Sequence, residues 1–449
     1  MSRSALLRRA VSLALIAAFA APAHAEIMID AIADSEVSIE GLFQADGNWF
    51  NNDKADLSGF GANGKDSEFA IRRAEMILKG KGPGNFEWVL GYDASTQKSV
   101  VINTGVTPSS TATVNSSGKW LDANVKYKIG GDANHYVQVG QYKQPNSLEE
   151  LSSTRHNDFI SKAMVTNTFG VARRLGVAYH YGSPDWGVTA SYFGRELTRN
   201  LAHGNGFGVR GNWAPINGTA NILHFGASYV DYDTDGDVVR LRTRPNADLA
   251  LVRLVDTGAT GIRNADRLST IGGEAMWIKG PVKLQAEYMR TAVDRYDTGF
   301  ASQPGRSYDS DSGYVSALWN VTGETWGYKD GVPTTSLPNE PGSGMWQVGL
   351  RYDRIDLDDG SFRPGATPSA SPIVDGVLGG EMSAVTAGVS WYWRSNFKFS
   401  FNYVKVDSSR FTGRTSSTFS SDPAFNGLLV NGILDDSPDI LEARLQFYF

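Results

Sequence analysis

The 449-residue chain has no cysteine, so no disulfide staples it and no thiolate metal site is open to it. Long apolar runs are missing too: no stretch beyond the first 25 residues approaches the roughly 18 consecutive apolar residues of a membrane-crossing helix. Proline is sparse at 17 residues, and no proline-rich or low-complexity linker divides the chain, which favours one large unit over a string of soluble domains. Histidine is scarce. Beyond the first 25 residues only His135, His156, His180, His203 and His224 occur, and their spacing fits no metal site. No serine sits in a nucleophile motif and no Walker-type glycine-rich loop is present. Catalytic residues, metals, cofactors and a nucleic-acid partner are therefore not expected.

What is present begins with an export signal. Arg3, Arg8 and Arg9 precede the small and apolar run Ala10 to Ala21, and Ala23-His24-Ala25 reads as a cleavage site, the anatomy of a secretory signal peptide. The expected division is a leader over 1–25 and one domain over 26–449. Three of the 42 basic residues fall in the leader, leaving 39 against 48 acids, a mature net charge of about -9. Such a balance does not fix the sign of a pore, because selectivity depends on which face holds the charges.

The last ten residues, Ile440 to Phe449, set the pattern. Leu441, Ala443, Leu445, Phe447 and Phe449 alternate with Glu442, Arg444, Gln446 and Tyr448. Successive side chains of a strand point to opposite faces, so one face is apolar and the other polar. In a membrane barrel the first face meets lipid and the second a water-filled lumen, which makes arginine costly at Leu445 and tolerable at Gln446. The mean hydropathy of -0.28 agrees, because half of every strand is polar. Similar segments recur from Val37 to the C-terminus, about sixteen in all. Tight turns at Lys79 to Asn85, Gly130 to Ala133, Gly182 to Asp185, Gly280-Pro281 and Arg394 to Asn396 alternate with long loops. The expected fold is all-β: a transmembrane antiparallel β-barrel with short periplasmic turns and long extracellular loops. One connection, Gly323 to Gly342, is long on the side where turns should be short.

Two places concentrate positive charge. Arg240, Arg242 and Arg244 stand at every second position, so an extended segment presents three guanidiniums on one side, suited to phosphate or carboxylate oxygens. The plainer alternative is a solvated loop paired with Asp231, Asp233, Asp235 and Asp237. Arg72 and Arg73 are adjacent, so only one can face a lumen directly unless the strand bulges. The long loop from Gln144 to Ala172 carries Arg155 and either folds inward to narrow the pore or caps it from outside.

Segments spread over most of the chain resemble the phosphate-selective outer-membrane porins of the porin O and P family: FAIRRAEMILKG, VQVGQYKQPNSLEELSSTRH, ILHFGASYVDYD with its following RLRTR, EAMWIKGPVKLQAEYMR, MWQVGLRYDRI and LEARLQFYF among them. The resemblance implies a homotrimer of 16-stranded barrels in outer-membrane lipid, a third loop folded into each pore, and a ladder of arginines drawing anions inward. On it, Arg240, Arg242 and Arg244 correspond to the ladder row, Arg73 and Arg72 to a ladder position on the second strand, and Asp122 to the acidic partner at the central phosphate site. Where the family has lysines in the third loop this chain has Glu150 and Arg155, and where it has another arginine this chain has Asp248. The function so implied is a water-filled, anion-selective porin for passive uptake of phosphate or polyphosphate. A general small-solute porin, a barrel enzyme and a structural or adhesive barrel are the alternatives.

Overall fold

The computed structural model describes residues 27–32, 35–58, 66–95, 97–103, 110–116, 118–198, 204–234, 236–258, 261–296, 307–363, 373–412 and 432–449. The leader expected over 1–25 lies outside them. Among the described residues sixteen antiparallel strands form the wall, and two short strands, Ile27–Ile32 and Gly432–Asp436, pair with the ends of wall strands. They are β1 (Ser35–Asn51), β2 (Ser67–Lys81), β3 (Phe86–Asp93), β4 (Lys119–Lys128), β5 (His135–Lys143), β6 (Arg173–Ser183), β7 (Trp186–Phe193) and β8 (Gly206–Gly218). Then come β9 (Asn221–Asp233), β10 (Ala265–Lys279), β11 (Val282–Arg295), β12 (Tyr308–Asn320), β13 (Met345–Arg363), β14 (Ile373–Trp393), β15 (Phe397–Thr412) and β16 (Asp439–Tyr448).

Each strand pairs with its neighbour in sequence, and β16 pairs with β1 from Asn51↔Asp439 to Leu42↔Tyr448, so the sheet closes and leaves no edge. The free end completes the closure: Phe449 exchanges backbone hydrogen bonds with Gly41 at 2.9 and 3.1 Å. Its ring lies over Gly41, where a Cβ would stand 2.3 Å from it, so a larger residue there would push the Phe449 ring aside.

The register is the one the alternation predicts. On β16 Ile440, Glu442, Arg444, Gln446 and Tyr448 are buried inside, while Leu441 and Leu445 are exposed outside. A soluble protein would hide the leucines. Here Ile271, Val315, Leu350, Val139 and Phe401, each more than half exposed, continue the apolar belt on other strands, as a lipid-facing wall requires. At the short-turn end Trp346, Trp391, Trp393, Phe397, Phe447 and Phe449 form a run of ring contacts, an interfacial girdle.

Polar residues are buried inside because the loops fill the lumen. The third long connection enters with two short helices, α1 (Leu148–Leu151) and α2 (Met164–Phe169). The fifth, between β9 and β10, enters as a knot of two small strand pairs. Its Leu241, Val252, Leu254 and Val255 form an apolar core with Ile355, Leu357, Val404 and Val406 on the inner faces of β13 and β15.

The long connection on the short-turn side has a reason as well. Its Gly327–Lys329 and Val332–Thr334 segments pair as a hairpin whose tip residues, Asp330 and Gly331, have φ of 53° and 73°, the backbone of a tight two-residue hairpin turn. The hairpin folds up into the barrel. Arg210 Nη2 on β8 donates to Gly331 O at 3.0 Å, and Tyr328 Oη lies 2.6 Å from His224 Nδ1 on β9. It therefore narrows the periplasmic end instead of lengthening a turn.

Candidate ion pathway

The third loop is fastened to the wall at many points. Glu287 on β11 accepts the N–H groups of Leu148 and Glu149 at the start of α1, both at 2.8 Å. On β13 the buried Arg351 donates to Asp353 at 2.7 Å and to Ser161 O at 2.9 Å, and Asp353 accepts Met164 N and, from the fifth loop, Asn246 Nδ2. Arg444 on β16 is bidentate to Asp46 and donates to Ile160 O at 2.6 Å. Below, Thr335 of the periplasmic hairpin donates its N–H to His156 Nδ1 at 2.9 Å. Burial, then the charges of Arg155 and Lys398, push His156 down to about 3, so the ring stays neutral, as an acceptor must. The inward course of the loop, left open by the sequence, is thus decided by wall residues up to some 290 positions away, as in Gln446 to Arg155.

Both arginines of β2 point inward. The ladder pairs Gln44 with Arg73 and Ala45 with Ile71, which leaves Arg72 as an extra residue, and that bulge removes the alternation that would have sent one guanidinium into lipid. Arg72 Nε donates to Asp248 at 2.8 Å, and Arg73 Nε stands 3.2 Å from Glu75.

In the fifth loop the alternation of arginines survives. Arg242–Thr243 pairs with Val255–Asp256; Leu241 and Thr243 are buried in the loop core while Arg240 and Arg242 are exposed on the other side. Arg240 is bidentate to Asp256, and Arg244 Nε donates to Ala250 O. Of the acids set against the row, Asp231 pairs with Arg267 and Asp237 accepts the Tyr296 hydroxyl, while Asp235 lies outside the described residues; the carboxylate paired with the row is Asp256. Arg253 joins the row. Burial first, then the charges of Arg244 and Arg242, push its guanidinium down to about 9, and no carboxylate among the described residues stands within ion-pair distance of it. Arg244 is likewise lowered by burial and by Arg72 and Arg242, against the pull of Asp248. One run of mutually repelling cations therefore extends from the fifth loop to β2.

At the level of the third loop the charges are of both signs. Asp122 on β4 accepts Nε and Nη2 of Arg173 at 3.1 and 2.6 Å, so its partner is the first residue of β6. Glu150 is matched by Lys162 and by Lys143 at the end of β5; burial opposes its ionisation, yet those two cations hold it down at about 2. Arg155 sits apart from Asp122, 3.5 Å from Glu40 of β1 and over the ring of Tyr448. Sequence reasoning missed Arg173, Arg253, Lys143 and Lys162. Arg173 and Lys143 flank the third loop at strand ends, a position that marks them in hindsight; Arg253, in an irregular segment, carries no pattern.

The comparisons agree with this architecture. A family model described as phosphate-selective porin O and P matches residues 43–449. Porin O of Pseudomonas aeruginosa is 26% identical over 262 residues, covering 54% of this chain and 53% of that one. An uncharacterized protein of Caulobacter vibrioides is 27% identical over 308 residues, covering 64% of this chain and 56% of that one, so the chain spans little more than half the length of these relatives. Among solved structures, the outer membrane channel DcaP of Acinetobacter baumannii superposes over 94% of this chain and 100% of that one, with TM-score 0.52 and 13% identity. The anion-selective porin from Comamonas acidovorans does so over 92% and 100%, with TM-score 0.50 and 12% identity, a likeness of fold alone. The closed sixteen-stranded wall, the inward loops and the match over nearly the whole chain place the protein in the phosphate-selective porin O and P family of outer-membrane channels.

Proposed function

We propose that the chain, exported by its cleaved leader, assembles as a trimer in outer-membrane lipid and gives small anions, phosphate or polyphosphate, a passive route through each barrel. The observation that carries this reading is the cationic run from Arg253, Arg242 and Arg244 to Arg72 and Arg73, which descends from the fifth loop to the second strand. Closely spaced guanidiniums depress one another unless an anion lies among them, so the run favours anion entry while each site stays weak enough to release. A general small-solute porin is the second reading, supported by the carboxylates of Glu75, Asp122, Glu150 and Asp248 in the narrow region.

Replacing Arg240, Arg242 and Arg244 together by alanine is expected to move the zero-current potential in a potassium chloride gradient toward the unselective value. The shift should be largest at low salt, because the field is screened over about 8–10 Å at ordinary ionic strength. Arg240→Ala alone should contribute least, since Asp256 already matches its charge. An unshifted potential in the triple variant removes the loop from the conduction path. Block of chloride current by inorganic phosphate separates the two readings.

A further inference from the structure

Asp248 lies where three parts of the pore meet. Its Oδ2 accepts Arg72 Nε of β2 at 2.8 Å and stands 3.9 Å from Arg444 Nη2 of β16, while its N–H donates to Ser161 Oγ of the third loop at 3.1 Å. The other carboxylates here have different tethers. Asp46, Glu75 and Asp122 belong to wall strands, and Glu150 is matched by two lysines beside the third loop. Asp248 is the one that the fifth loop delivers to the wall arginines, directly after the cationic row that ends at Arg244. Arg72, for its part, is not saturated: its Nη1 is buried and has no hydrogen-bond partner. With Asp248 on its Nε edge and Nη1 without a partner, the Arg72 fork has hydrogen-bonding capacity left for a passing oxyanion.

We propose that Asp248 is a specificity-determining residue, a tethered counter-anion that shares Arg72 with the permeating ion and weakens the narrow region for multivalent oxyanions more than for monovalent ones. The inference rests on the anion-channel reading. Its physics is charge arithmetic: a fixed negative charge repels a divalent phosphate twice as strongly as chloride at the same distance, and the carboxylate also occupies one edge of the Arg72 fork. Burial acts against the ionised carboxyl, but Arg72 and Arg444 outweigh it and hold Asp248 below the usual carboxylate range, so the charge is present at neutral pH. With Asp248 in place, phosphate that reaches Arg72 is passed on instead of lodging.

The test uses the full-length channel in planar bilayers, with chloride current titrated by inorganic phosphate. Asp248→Asn keeps the size of the side chain and removes its charge, and should lower the half-blocking phosphate concentration by about tenfold. Ser161→Ala removes the hydrogen bond to the loop but keeps the charge, and should leave block unchanged. Unaltered block in Asp248→Asn overturns the proposal, and so does equally tightened block in Ser161→Ala, which would trace the effect to loop displacement. A wild-type channel with no preference for anions in a salt gradient overturns the anion-channel reading in favour of the general porin, an outcome separate from either variant.

Discussion

Arg351→Ala is expected to destabilise the barrel by about 3–5 kcal/mol and, in the molecules that still fold, to raise single-channel conductance. Arg351 is 1% exposed and its partner Asp353 is fully buried. Truncating the arginine leaves that buried carboxylate with only Met164 N and Asn246 Nδ2 as donors, and takes the cation from Glu149 as well. It also frees Ser161 O and removes a guanidinium that lies 4.8 Å from the centre of the Phe159 ring. Because Asp353 ties both the third and the fifth loop to β13, losing its countercharge loosens the two segments that narrow the pore. A double replacement, Arg351→Met with Asp353→Leu, removes the Asp353 charge but leaves Glu149, 3.6 Å from Arg351 Nη1, without its cation, so it should recover only part of the stability, while conductance stays high because the loop contacts are still absent. Urea unfolding in detergent reads the first quantity and bilayer recording the second. A cost below about 1 kcal/mol for Arg351→Ala would mean that water reaches the pair, and the loop anchor would have to be sought elsewhere.

Leu445→Arg is expected to cost about 2–4 kcal/mol, since it puts a guanidinium on the lipid face of β16. Its effect on conductance should be small, because the side chain points away from the lumen. Alternation alone makes Gln446→Arg harmless, on the ground that an inward residue meets water. The structure corrects that expectation. Gln446 is 2% exposed, accepts Gln44 Nε2 at 2.6 Å and donates to Arg155 O at 3.2 Å. An arginine there breaks both bonds beneath a packed loop, at about 1–3 kcal/mol, and displaces Arg155 from its place over Tyr448. The two variants therefore differ in kind: Leu445→Arg acts on heat stability, Gln446→Arg on current as well. Matching conductance changes at both positions would invalidate the assigned register.

The sequence by itself determined the wall. Lipid outside and polar residues inside impose the same two-residue period on every strand, and the ladder holds each strand against its neighbour, so the pattern is local and repeats. The Ile440 to Phe449 strand, the tight turns and the even strand count were legible for that reason. So was the two-sided arrangement of the Arg240 row, which is also a two-residue period. The upper part of β13 was less so: Ile355 and Leu357 turn inward on a strand whose outer face there carries Arg354, Asp356 and Asp358. Its inward apolar residues make sense only once the fifth loop is seen to pack on them.

Tertiary structure decided what fills the barrel. The third loop is drawn inward by Glu287, Arg351, Lys398 and Arg444, and the periplasmic hairpin by Arg210 and His224, none of which is near its target in sequence. A single bulged residue turns both Arg72 and Arg73 into the lumen, and a bulge leaves no mark in an alternating pattern. Which carboxylate answers which arginine follows from the same packing: Asp248 reaches Arg72 across 176 positions and Asp122 meets Arg173 across 51. A strand's pattern records the medium on either side of it. The partners of its inward charges depend on where distant loops come to rest, and only the folded chain fixes that.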